Sequence, residues 1–112
     1  MKKIYHLKTC DTNRRILKEM DTSSYILQEI KTAPITVKQL DELYGLTNSY
    51  EVLFSRKAKK FKQMDLKNQV LTEKDYRQLI LDEYTFLKRP VIVNDQEVYV
   101  GNTKKRVDIH QK

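Results

Sequence analysis

The sequence predicts an α/β domain built on a mixed four-stranded sheet. Three observations carry that prediction. Two short strand-like runs, residues 3–7 and Tyr25–Ile30, flank a helical stripe. Two later runs, Pro90–Val93 and Glu97–Val100, are separated only by the turn Asn94-Asp95-Gln96 and read as a hairpin. Between the two pairs, capping signals and 3.6-residue periodicity predict helices alone. With 112 residues, 39% hydrophobic and 33% charged, the chain is the size of one domain with one modest core.

Each element follows from its residues. Residues 3–7 alternate as a strand. Ile16, Leu17 and Met20 form one apolar stripe of a helix over residues 12–20, with Asp11 or Thr12 as its cap. Asp21-Thr22-Ser23 is a turn, and Tyr25–Ile30 is the second strand, broken at Pro34, which has no N–H to donate. Two strands joined through a helix call for parallel pairing with a right-handed crossover. Thr36-Val37-Lys38-Gln39 is a capping-box pattern opening a helix with Leu40, Leu43 and Tyr44 on one face and Gly45 as terminator. Residues 49–54 predict a short helix, and a basic loop follows. Thr72 to Asp75 start another helix, with Tyr76, Leu79, Ile80 and Tyr84 along its face. The β-branched run Pro90–Val93 is a buried strand, and Glu97–Val100 pairs back on it. Gly101 ends that strand, and residues 103–109 predict a last short helix. This is the element order of a thioredoxin-like fold with a helical insertion after the second strand, occupying residues 1–112 as a single domain.

Composition narrows the function classes. No run of 18 apolar residues exists, so no membrane-spanning helix is expected. The basic start Met1-Lys2-Lys3 is not followed by the apolar stretch of a secretory signal. One cysteine excludes an internal disulfide and suits the reducing cytoplasm, the expected location. With two histidines far apart in sequence, no metal site is expected. The net charge of +7 favours anionic partners: an oxyanion, glutathione, nucleic acid or an acidic surface. The densest cluster, Arg56 to Lys62, interleaves one aromatic among its cations. That is a weak nucleic-acid signal, and a solvated surface is the plainer reading.

Cys10 sits where the first strand gives way to the first helix. Unpaired backbone N–H groups and the positive end of the helix dipole favour a thiolate there, and the thiolate is the nucleophile. His6, Lys8 and Arg14 add basic groups nearby in sequence.

Around that cysteine, Ile4-Tyr5-His6-x-x-x-Cys10-x-Thr12-x-Arg14 resembles the N-terminal signature of the arsenate reductase (ArsC) family. Leu53-Phe54-Ser55-Arg56, Leu87-Lys88-Arg89-Pro90-Val91-Ile92-Val93 and Val100-Gly101 are similar to later blocks of the same family, in the same order. Cys10-Asp11-Thr12 is closest to the YffB-type branch of glutathione-dependent thiol reductases, and Spx, a regulator that binds RNA polymerase, is a superfamily relative. The resemblance implies a thioredoxin-like fold and a thiol-dependent oxidoreductase. Cys10 would be the nucleophile, with Arg56 and Arg89 as the other catalytic residues. His6, Thr12, Asn13, Arg14 and Pro90 would bind substrate. A cationic His6 would favour the thiolate, and Pro90 would follow a cis peptide bond. No tightly bound cofactor is implied; glutathione or glutaredoxin would be the reductant. The substrate would be arsenate or a glutathione mixed disulfide, and the protein a monomer. An Spx-like regulator docking on RNA polymerase is the alternative. Position 102 is asparagine where classical arsenate reductases carry a third arginine, and position 13 is asparagine where Spx needs its second cysteine.

Overall fold

A computed structural model describes residues 1–101 and the backbone strand Arg106–Val107. The predicted sheet is present. Its strands are β1 (Lys2–His6), β2 (Ile26–Glu29), β3 (Val91–Asn94) and β4 (Glu97–Val100), followed by a two-residue β5 (Arg106–Val107). Their spatial order is β2-β1-β3-β4-β5. β1 and β2 run parallel, with Ile4 opposite Leu27, as a strand–helix–strand unit requires. β1 pairs antiparallel with β3, and β3 with β4 across the tight turn at Asp95. At positions 106–107 the expected helix gives way to strand, because Val107 pairs with Val98 on the otherwise open edge of β4. The remainder of the predicted 103–109 helix, and Asn102, lie outside the described residues.

Helix α1 (Asp11–Lys18) connects β1 to β2. The insertion after β2 contains α2 (Val37–Thr47), α3 (Lys59–Gln63) and α4 (Glu73–Asp82), with short 3-10 turns between and after them. The Thr36–Gln39 capping box forms, and Thr72 makes a second with Asp75. Gly45 does not end α2. Leu46 and Thr47 continue it, and Asn48 takes the left-handed cap conformation at φ 57°. The core gathers Tyr5, Leu40, Leu43, Leu53, Ile80 and Val91, among others, from both halves of the chain. At its centre Phe54 stacks on Phe86 at 4.9 Å and tilts against Tyr76 at 4.9 Å. Burying aromatic side chains of this size supplies much of the hydrophobic drive.

Two segments that are distant in sequence meet here. Phe54 bridges Leu87 antiparallel. Ser55 N–H donates to the Phe86 carbonyl at 2.7 Å, and Lys88 N–H to the Leu53 carbonyl at 2.8 Å. This short ladder brings the basic segment at residue 56 beside the start of β3.

Candidate active site

The loop that carries Cys10 is pinned from two sides. Asn13, only 1% exposed, accepts the Leu7 N–H on Oδ1 at 2.8 Å. Glu29, at the end of β2, accepts the Lys8 N–H at 3.2 Å. Cys10 N–H closes the turn onto the Leu7 carbonyl, and Cys10 caps α1 without a side-chain hydrogen bond, so its sulfur is not used to close the helix. The first helical N–H groups at such an end have no intrahelical partner.

Cys10 is partly exposed and opens on a cleft of about 320 Å³. Thr12, Ser55, Arg56, Lys57, Lys88 and Arg89 line the same cleft, with Phe54 and Gly101. Arg89 is fixed by Nη1, which donates to the carbonyls of Thr85 and Leu87 at 2.9 Å each. Its buried Nε has no hydrogen-bond partner among the described residues. Arg56 donates to Glu51 at 3.0 Å and to the Tyr76 hydroxyl at 2.8 Å, and lies over the Tyr76 ring. The Arg89–Pro90 peptide is cis and Pro90 is buried. Gly101, at φ 72°, lies against the Lys88 side chain. A thiol, two arginines and two lysines thus face one space whose lining, among the described residues, contains no carboxylate. Such a space draws an anion with a reactive sulfur or oxygen toward the thiol.

The structure therefore brings together Cys10, Thr12, Arg56 and Arg89. It places His6, Asn13 and Arg14 around a second, more open cleft on the other flank of the Cys10 loop. Arg14 is exposed and paired with Asp11. Burial, assisted by Lys8 and opposed by Glu29, pushes His6 below its ordinary 6.5. That shift disfavours the cationic form that the resemblance implies for His6. Lys57, Lys88, Ser55 and Gly101 were missed. Their signal was adjacency, since each lysine neighbours an arginine singled out from sequence.

A parallel strand–helix–strand unit, a hairpin, a cis-proline and a thiol at the first helix define a thioredoxin-like domain with a cysteine-centred cleft. The chain matches the ArsC family over residues 5–109 and belongs to it. Among solved structures it is similar to an ArsC family related protein from Bacteroides fragilis, at 20% identity and TM-score 0.78, covering 92% of this chain and 91% of that one. It is similar to the YffB protein at 21% identity and TM-score 0.76, covering 90% of each chain. It is also similar to an arsenate reductase from Vibrio cholerae at 20% identity and TM-score 0.70, covering 89% and 88%. No curated protein matches the sequence.

Proposed function

We propose that the chain is a thiol oxidoreductase of the arsenate reductase type, with Cys10 as nucleophile toward a glutathione mixed disulfide. The carrying observation is the cleft that Cys10 shares with Arg56, Lys57, Lys88 and Arg89. Its volume, about 320 Å³, reaches the range of small-molecule sites and exceeds what a bare four-oxygen anion fills. Glutathione offers two carboxylates for the cations and a sulfur for the thiol.

The Cys10 thiolate attacks the glutathione sulfur. The S–S bond to the leaving thiol breaks, and that thiol departs as thiolate and takes a proton from water. A second glutathione, as thiolate, attacks the glutathione sulfur now bound to Cys10. Oxidised glutathione leaves and the Cys10 thiolate returns. Two electrons pass from glutathione to the substrate. A chain with one cysteine requires this external thiol, or glutaredoxin in its place.

The test couples turnover to NADPH through glutathione and glutathione reductase. Cysteine–glutathione disulfide and arsenate are offered separately, arsenate with glutaredoxin added, and Cys10→Ser is the blank. Reduction of the disulfide that vanishes in Cys10→Ser supports the reading. Turnover of arsenate alone transfers the assignment to the oxyanion, and turnover of neither by the folded protein overturns it.

A further inference from the structure

The cleft does not end at Lys57. Ala58 is buried and caps α3, whose Phe61 turns inward against Phe54 at 6.0 Å. Lys59, Lys60 and Lys62 are exposed, as is Lys57 at the cleft rim. None of these four lysines forms an ion pair among the described residues. Between Glu51, which pairs with Arg56, and Asp65 the sequence contains no acidic residue. Beyond the lysines lie two exposed apolar side chains, Met64 at 45% and Val70 at 95%. The Gln69 amide, next to Val70, donates to the Met64 carbonyl and ties the two positions together.

We infer that this lysine ridge is the docking surface for an acidic segment of a protein substrate, so that the thiol displaced from glutathione by Cys10 belongs to an acidic protein. The inference rests on the mixed-disulfide reading: glutathione occupies the cleft, and the leaving half extends over α3. Lys57 belongs to both surfaces and sets their continuity. Nucleic acid fits this ridge less well. Its one aromatic, Phe61, faces the core and offers no stacking platform, while Met64 and Val70 present apolar surface suited to protein side chains.

The experiment uses two glutathionylated peptides of equal length, one with aspartate and glutamate flanking the modified cysteine and one with serine. Wild type should reduce the acidic peptide with a kcat/KM higher by roughly tenfold, a preference that salt erases. The variant Lys59→Glu/Lys60→Glu/Lys62→Glu should lose that preference yet keep wild-type turnover of cysteine–glutathione disulfide, which also reports that it is folded. Fluorescence anisotropy with Cys10→Ser and labelled acidic peptide tests docking without turnover. It separates failure of the ridge from failure of the chemistry. Equal affinity for the two peptides, or tighter binding of a mixed-sequence oligonucleotide than of the acidic peptide, overturns the inference.

Discussion

Arg89 enters the cleft with Nη1 already bound to two carbonyls, whereas Arg56 is half exposed and divided between Glu51 and Tyr76. A lysine at 89 keeps the charge but lacks the planar fork that bridges the carbonyls of Thr85 and Leu87 while facing the cleft. Arg89→Lys should therefore lower kcat/KM by roughly ten- to a hundredfold, the weight of a hydrogen bond to a charged group. Arg56→Lys should cost only a few-fold, about what a partly exposed pair contributes. The reverse order in steady-state kinetics would make Arg56 the principal anion ligand. Asn13 works by supporting the loop. Asn13→Ala strands the buried Leu7 N–H and should lower stability by about 1–3 kcal/mol, read from urea unfolding. Cys10 stood out in the sequence because few residue types offer a nucleophile at a strand-to-helix turn, whereas Arg56 and Arg89 were marked only by the family resemblance. Asn13 was noticed, but its bond to Leu7 was not legible, because a side chain reaching back six residues leaves no periodic trace.

Among the elements, α2 yields two changes of opposite sign. Thr36→Ala removes the side-chain acceptor for the Gln39 N–H and should cost about 1 kcal/mol. Gly45→Ala adds a Cβ that meets nothing within 4 Å and should stabilise by about 0.5–1 kcal/mol through the unfolded chain. Thermal and urea unfolding of both variants check the pair; a destabilised Gly45→Ala would reveal a constraint on α2 beyond its own packing. The same helix shows how elements became legible. Its start was written in Thr36 and Gln39, a local signal. Its end was not, because glycine permits a cap without compelling one and Asn48 also tolerates the left-handed region. β5 was missed for a related reason. Two residues carry too little period to declare a strand, and an unpaired edge of β4 decided it.

For the whole molecule, acid should act in two stages. His6 lies below 6.5 when folded. Above that pH both states hold it neutral and it leaves stability unchanged. As pH falls below 6.5 the unfolded chain takes up a proton that the folded chain refuses, so stability declines until the folded value is reached. Asp41 is held down at about 2 by hydrogen bonds from Arg77 and then Tyr50. Its contribution is present above the ordinary 3.8 and is lost as pH drops toward the folded value. Asp75 and Asp95, also lowered, add to this second stage. Urea midpoints against pH should show a shallow slope beginning near 6.5 and a steeper one below 3.8. His6→Gln should remove only the first; a shallow slope persisting in that variant would assign it elsewhere. At this scale the sheet and the insertion were readable, since strand pairs and helix caps are encoded locally. The meeting of residues 53–56 with 86–89 was not, being a long-range contact between irregular segments.

That meeting has a consequence for how the molecule opens. The amides of Ser55 and Lys88 are held by opposite rungs of one small ladder, so neither is released without the other. In native-state hydrogen exchange they should behave as one cooperative unit that joins the insertion to the central strands. An anion gripped by both Arg56 and Arg89 clamps the ladder shut. It should slow both amides together, making exchange at these two positions a direct reporter of occupancy.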